Sequence, residues 1–158
     1  MFRLALSTKD VARLREAKKA FAASNKDTEI DAAQALLAAR VQLGYFRGRA
    51  YLSAIDATLK DWSGDHLGAA QGFVEAANFI SEQYLPHVEA FPRRDYLSEG
   101  IDYLDWAGNA YVAAGMVDRG QAYLKQALEW VDRFRAILGD MLAASLRARI
   151  EEDVVKAH

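Results

Sequence analysis

The alternation of apolar and polar residues is clearest from Asp102 to Val131, where it predicts two amphipathic helices joined by a tight turn. Four residues of the first half share one helical face through the spacing i, i+3, i+4 and i+7, namely Leu104, Ala107, Gly108 and Tyr111. Gly115 is expected to end that helix, because glycine adopts a positive φ without strain. The second helix has its own stripe of Gly120, Leu124, Ala127 and Val131. This stretch therefore predicts a packed helical hairpin.

The residue order of this hairpin resembles the tetratricopeptide repeat, which has a bulky residue, a small residue with Gly, a Tyr, a Gly turn, and then small, large and small residues. The sequence departs from the family pattern at four positions, which are Leu104 for Trp, Gly120 for Ala, Leu124 for an aromatic residue and Asp132 for Pro. The resemblance implies a stack of antiparallel helical hairpins that serves as a binding scaffold.

Similar but weaker patterns precede this hairpin. Ser7 and Asp10 form a capping box that opens a predicted helix over 8–23, and the turn Ser24-Asn25-Lys26-Asp27 separates it from a second helix over 28–43. Ala32, Leu36 and Ala39 repeat the small-large-small spacing in this second helix, and Gly44 is expected to end it. A first hairpin is thus predicted over 8–43.

A second hairpin is predicted over 46–83. Its helices meet at Ser63-Gly64-Asp65, and Ala69, Phe73 and Ala76 then follow the repeat spacing. An alternative register stays open, because Arg47-Gly48-Arg49-Ala50-Tyr51-Leu52 resembles Arg119-Gly120-Gln121-Ala122-Tyr123-Leu124 and would pair the second and third helices. We prefer the first register, because the alternative leaves the fourth helix without a partner.

Both prolines fall within 84–95, which is predicted as an inserted loop, since Pro lacks a backbone donor and restricts the residue before it. The third hairpin spans 96–137. A capping helix over 140–157 follows, with Leu142, Leu146, Ile150 and Val154 in one stripe. The sequence therefore predicts an all-α fold in which residues 1–158 form a single domain of about seven helices, arranged as a tetratricopeptide-like superhelix.

Charge and composition narrow the functional classes. Of the 158 residues, 52% are hydrophobic, which is enough to form one core. The formal net charge is -2, so the chain lacks the overall positive charge that is typical of a nucleic-acid-binding protein. The charge is uneven, with six basic and two acidic residues over 1–20 and three basic and ten acidic residues over 51–110. No apolar run approaches a membrane span or a signal-peptide core, so a cytoplasmic protein without a membrane partner is expected.

No phosphate loop, dinucleotide fingerprint, nucleophile elbow or paired metal-ligand spacing occurs, and cysteine is absent. We therefore expect no enzymatic activity, cofactor or metal. The histidines, which are His66, His87 and His158, are interpreted as solvated, and Glu99, Asp102 and Asp105 as solvated or partner-facing carboxylates.

Trp130 is expected in the core and Trp62 beneath the turn that follows it. Two alternatives stay open for Trp106, which are a position in a ligand-binding groove and burial against the proline-containing loop.

The resemblance implies that the first helix of each hairpin lines a concave groove. Carried over to this sequence, the groove residues are Arg15, Glu16, Lys19, Ser53, Ala54, Ala57, Lys60, Asp102, Asp105, Trp106, Asn109 and Val112. Those expected to bind ligand are Arg15, Lys19, Lys60, Asp102, Asp105, Trp106 and Asn109. Asn109 matches an asparagine that holds peptide backbone or a terminal carboxylate in some family members. The basic residues of that carboxylate clamp are missing here, so an acidic chaperone-type tail is not expected.

The function favoured by these observations is a non-enzymatic adaptor or chaperone that binds a peptide segment of a protein partner. Such a peptide would place acidic residues near Arg15 and a basic or aromatic residue near Trp106. The alternative is a structural subunit that packs through its helix faces into a larger assembly, with the basic N-terminal region meeting the acidic middle of another copy. Homo-oligomerisation is left open.

Overall fold

The computed structural model describes the backbone of residues 11–34 and 38–157, and the side chains of 11–26 and 42–157. Seven α-helices account for most of these residues, namely α1 Val11–Gln34, α2 Ala38–Trp62, α3 His66–Phe79, α4 Arg94–Ala113, α5 Val117–Arg133, α6 Arg135–Leu138 and α7 Asp140–Lys156. No strand occurs among the described residues, so the prediction of an all-α chain is confirmed.

Helices that follow one another pack side by side in antiparallel pairs. Gly100 of α4 approaches Trp130 of α5, whereas Gly108, further along α4, lies against Leu124, which is earlier in α5. The pairs α1 and α2, α2 and α3, α3 and α4, and α5 and α7 also pack together, and their contacts run in the same opposed order. As a result α2, α4 and α7 all point the same way along the stack.

Small residues set the distance between α4 and α5. A methyl group built on Gly120 would lie 2.6 Å from the carbonyl oxygen of Gly108 and 2.5 Å from Val112. Around this contact Leu104, Tyr111 and Leu124 are buried. The two backbones approach closely at the glycines, and the larger side chains fill the space above and below them.

The predicted division of the first hairpin is wrong. Helix α1 runs without interruption through Ser24-Asn25-Lys26-Asp27, and Gly44 lies inside α2. Asn25 does not form a turn. Its buried side chain covers Gly48 of α2 and donates from Nδ2 to the carbonyl oxygen of Tyr45 at 3.1 Å. A glycine such as Gly44 costs an α-helix only about 1 kcal/mol relative to Ala, so packing against α1 is enough to carry the helix through it.

Some predicted features lie outside the described residues. They are the capping box at Ser7, the start of the first helix, the side chains of Ala32, Leu36 and Ala39, and His158.

The connections between α2 and α3 and between α4 and α5 are tight glycine turns. Gly64 and Gly115 have φ values of 90° and 79°, in the left-handed region that glycine tolerates best. Asp65 caps α3, because its Oδ1 accepts the backbone N–H of Gly68 at 2.9 Å. Both turns lie at the same end of the stack, which we call the turn end.

The segment between α3 and α4 contains a π-helical stretch, Ile80–Tyr84, and a 3₁₀ turn, Leu85–His87. Tyr84, which the sequence assigns to the start of an inserted loop, is buried and stacks on Tyr96 with ring centroids 4.8 Å apart. Its hydroxyl accepts the backbone N–H of Arg93 at 2.6 Å and donates to the carbonyl oxygen of Phe91 at 3.0 Å. The segment is therefore tied to the core rather than looped away from it.

Helix α7 covers one side of α4 and α5. Leu146 and Ile150 of its predicted stripe are buried, and Leu142 and Val154 pack partly buried against the core. Among the helices that the structure describes, none combines the length and apolar character needed to cross a membrane.

Candidate functional site

A cleft of about 370 Å³ opens at the turn end, between the end of α2, the start of α3 and the second half of α4. We call it the end cleft, and its principal lining residues are Thr58, Asp61, Trp62, His66, Phe73, Trp106 and Asn109. Because α2 and α4 run parallel, their C-terminal turns arrive at the cleft together. The turn at Gly64 then brings the first residues of α3 to the same place.

Aromatic rings form the wall of the end cleft. Trp106 packs edge-on against Phe73, with ring centroids 5.5 Å apart, and against Tyr103 at 5.8 Å. Trp62 meets the same space from the last position of α2. Both tryptophans are only partly buried, whereas Phe73, which packs against Trp106, is buried. The cleft thus presents two large apolar surfaces to solvent.

Polar groups line the rest of the end cleft. Nδ1 of His66 lies 2.7 Å from Oδ1 of Asp61, and each of these side chains is 38% exposed. The hydroxyl of Thr58 donates to the carbonyl oxygen of Ala54 at 2.8 Å. Neither Lys nor Arg lines this cleft among the described residues. His66, interpreted from the sequence as solvated, is half-buried and paired.

Asp102 and Asp105, both expected to line an open groove, instead bind α7. Arg149 donates from Nη2 to Oδ1 of Asp102 at 2.7 Å and from Nε to Oδ2 of Asp105 at 3.0 Å. Asn109 donates from Nδ2 to Oδ2 of Asp153 at 3.0 Å, with a longer contact of 3.4 Å to Asp105. The solvated interpretation of Asp105 is wrong, because this residue is only 1% exposed.

The environment of Asp105 changes its protonation. Burial raises the pKa of the Asp105 carboxyl to about 7, opposed by the charge of Arg149 and reinforced by Asp153 and Asp102. This carboxyl therefore changes charge near neutral pH, at the contact between α4 and α7.

A second buried carboxylate joins α2 to α4. Arg47 donates from Nε to Oε2 of Glu99 at 2.8 Å and from Nη2 to Oε1 at 2.5 Å, and its Nη1 lies 2.9 Å from Asp95. The hydroxyl of Tyr51 donates to the same Glu99, and burial together with this negative charge raises the pKa of Tyr51. Glu99 is 5% exposed, so its interpretation as a solvated carboxylate is also wrong. The Arg47 contacts brace two parallel helices beside each other.

The other residues expected to bind ligand lie apart. Arg15 and Lys19 are exposed on α1, which packs on α2, and Lys60 is exposed on the last turn of α2. Trp106 and Asn109 alone, of the seven expected ligand-binding residues, line the end cleft. Trp106 packs against Phe73 and Tyr103, so its immediate neighbours belong to α3 and α4 rather than to the proline-containing segment.

Sequence reasoning missed Asp61, Trp62, His66 and Phe73 as members of one site. The available signal was the compact order Asp61-Trp62-Ser63-Gly64-Asp65-His66, in which an aromatic and three ionisable side chains flank a glycine turn.

The end cleft combines stacking surfaces with hydrogen-bonding groups, which suits reversible binding of a side chain or small group. Among the described residues, no group of three or more His, Asp or Glu is placed to hold a metal ion. Comparisons of this chain with protein-family models, with curated proteins and with solved structures give no match.

Proposed function

We propose that this chain is a non-enzymatic protein-interaction module, an adaptor or chaperone of tetratricopeptide-like architecture, that binds a peptide segment of a partner protein. The observation that carries the proposal is the convergence of Trp62 and Trp106, from two helices, on a cleft of about 370 Å³. Tryptophan is enriched among the residues that dominate binding energy at protein interfaces, and a cleft of this size accommodates an anchoring side chain.

The bound peptide would place one anchor residue in the end cleft and extend its neighbours over the adjoining surface of α2 and α4. The Arg47–Glu99 bridge supports this arrangement, because it holds α2 and α4 together before a ligand arrives. A preorganised surface loses less conformational entropy on binding than a mobile one. Asp102 and Asp105 contribute indirectly, since they hold α7 against α4.

The proposal is tested by capturing partners from the native source with the wild-type protein and with Trp106→Ala. Removing the indole should lower recovery of a specific partner at least tenfold, which corresponds to about 1.4 kcal/mol or more of binding energy. Thermal unfolding of the variant checks that the fold persists. Trp62→Ala provides an independent second variant.

A matched control places charge reversals elsewhere. Glu75 of α3 and Glu129 of α5 are exposed, so Glu75→Lys combined with Glu129→Lys changes the surface charge without touching the end cleft. Partner recovery should be unchanged in this double variant. If it is lost there and kept in both tryptophan variants, the partner binds another face and the end-cleft assignment is wrong.

A second candidate function, a structural subunit in a larger assembly, draws on the outward face of α7. Met141 and Val155 are 87% and 72% exposed there, and Ala144 and Ala148 are also exposed on this helix. An apolar stripe on an outer helix favours contact with another chain. Sedimentation over a wide concentration range tests it, because Met141→Glu with Val155→Glu should abolish any self-association that the wild-type protein shows.

A further inference from the structure

The hydrogen-bonding groups around the end cleft are mostly acceptors. In the tautomer whose Nδ1–H donates to Asp61, the imidazole of His66 presents the lone pair of Nε2, and Asp61 keeps its second carboxylate oxygen. The Thr58 hydroxyl already donates to the carbonyl oxygen of Ala54, which leaves its oxygen as an acceptor. The indole N–H groups of Trp62 and Trp106 are the exceptions, because they are donors. The other side chains are complementary to a ligand that donates hydrogen bonds.

Asn109 adds an acceptor for a different reason. Its amide nitrogen donates to Asp153 at 3.0 Å and contacts Asp105 at 3.4 Å. The Asp153 carboxylate is an acceptor on α7, so it fixes the amide with its nitrogen toward that helix. The carbonyl oxygen of Asn109 is then the group left to face a ligand in the cleft.

The electrostatic character of the end cleft is also negative. It contains the carboxylate of Asp61 and neither Lys nor Arg among its described lining residues. The C-terminal turns of α2 and α4 both end there, and helix C-termini carry partial negative charge. The N-terminus of α3 also meets the cleft, but Asp65 caps it by accepting the Gly68 N–H.

We propose that the end cleft is a binding site for an arginine side chain, whose guanidinium stacks against Trp62 and Trp106 and donates to Asp61 and Asn109. Tryptophan is the best aromatic partner for a cation, and a guanidinium is planar with five donors, so it both stacks and meets several acceptors at once. Lysine has a compact, strongly hydrated charge with three donors and fits this lining less well. This inference rests on the proposed function and specifies the anchor residue of the bound peptide.

The test uses the capped tripeptides acetyl-Gly-Xaa-Gly-amide, in which Xaa is arginine, citrulline, lysine, norleucine or glutamate. Citrulline keeps the shape of arginine without its charge. Binding is followed through the indole N–H signals of the protein in ¹H–¹⁵N spectra. Trp130 is buried between α4 and α5 and provides an internal control within each spectrum.

The arginine peptide should shift the indole signals of Trp62 and Trp106 and leave that of Trp130 in place. Its affinity should exceed that of the citrulline peptide by about tenfold at low salt, with lysine between them and glutamate weakest. Asp61→Asn should lower the arginine affinity about fivefold or more and leave the citrulline affinity unchanged. Glu75→Gln on the outer face of α3 removes the same charge and should change neither affinity.

Trp106→Leu keeps an apolar side chain and removes the aromatic face, so it should reduce the preference for arginine even if Asp61→Asn proves unstable. Equal binding of the arginine, citrulline and norleucine peptides would overturn the inference and leave the proposed peptide-binding function standing. If no probe shifts Trp62 or Trp106 at millimolar concentration, the inference and the end-cleft assignment both fail. Preference for the glutamate peptide would also overturn the inference.

Discussion

Nε of Arg149 donates to Oδ2 of Asp105 across 3.0 Å, although Asp105 is only 1% exposed, so a carboxylate buried within the stack joins α7 to α4. The same guanidinium reaches Asp102, and Asp153 of α7 accepts from Asn109 of α4. Two carboxylates, those of Asp102 and Asp105, thus converge on one arginine. The contact that places α7 against α4 is therefore sensitive both to pH and to loss of this single cation.

The first prediction concerns pH. The pKa of Asp105 is raised from 3.8 to about 7 in the folded protein. Between these values the native state binds more protons than the unfolded state, so the Asp105 contribution to stability falls as pH rises from about 4 to about 7. The difference in the free energy of unfolding between Asp105→Asn and wild type should therefore change with pH. From pH 5 to pH 8 it should shift in favour of the variant by on the order of 2 kcal/mol. Urea unfolding of both proteins measures the difference.

Asp102→Asn serves as the control for the pH experiment, because Asp102 accepts from the same Arg149 and its side chain is more exposed, at 14%. The difference in stability between Asp102→Asn and wild type should change less with pH than the difference between Asp105→Asn and wild type. Parallel pH profiles for wild type and Asp105→Asn would contradict the prediction.

The second prediction concerns Arg149. Replacing it with Met removes the cation from a buried carboxylate, which should lower the free energy of unfolding by about 1–3 kcal/mol at pH 8. Arg147→Met is the matched control, because Arg147 lies two residues away and its partners, Asp132 and Glu151, are exposed. Exposed ion pairs contribute about 0–1 kcal/mol. The double variant Asp105→Leu with Arg149→Met should recover most of the loss, and additive losses would indicate that the two residues are not coupled.

The third prediction separates two glycines within helices. An alanine methyl at Gly120 would lie 2.6 Å from the carbonyl oxygen of Gly108, a backbone atom that cannot rotate away. Gly120→Ala should therefore destabilise the protein by about 1–3 kcal/mol. Gly44 has no neighbour within 4 Å of the corresponding position and lies inside α2, so Gly44→Ala should stabilise by about 0.5–1 kcal/mol.

Thermal unfolding of both alanine variants provides the measurement. If Gly44→Ala destabilises the protein, Gly44 ends a helix, as the sequence predicts, and α2 is not continuous through this position. Equal shifts of the unfolding temperature in the two variants would show that α4 and α5 do not approach closely at Gly120.

The fourth prediction concerns the segment between α3 and α4. Tyr84→Phe deletes the hydroxyl that accepts the Arg93 N–H and donates to the Phe91 carbonyl, leaving a backbone donor without this partner. The cost should be about 1–3 kcal/mol, and hydrogen exchange at Arg93 should accelerate. Tyr123→Phe on α5 is the control, because this tyrosine is only partly buried and no shift of comparable size is expected. Unchanged exchange at Arg93 would show that the Tyr84 hydroxyl does not restrain the segment.

Features of this protein that depend on neighbouring residues in the chain follow from its amino-acid sequence alone. The stripe of Leu104, Gly108 and Tyr111 is buried as its spacing predicts, because residues four and seven apart share a face of any α-helix. Gly115 takes the positive φ expected at the end of α4, since that conformation depends on the residue itself.

Features that depend on residues far apart in the chain emerge only when the helices pack together. Asn25 has a turn-forming propensity, but its side chain is buried over Gly48 of α2, and this packing outweighs the local preference. Glu99 and Asp105 look solvated in sequence, because the arginines that neutralise them lie 52 and 44 residues away. Trp62 and Trp106 meet at the end cleft because α2 and α4 run parallel in the stack, and helical periodicity within either segment carries no information about which helix becomes its neighbour.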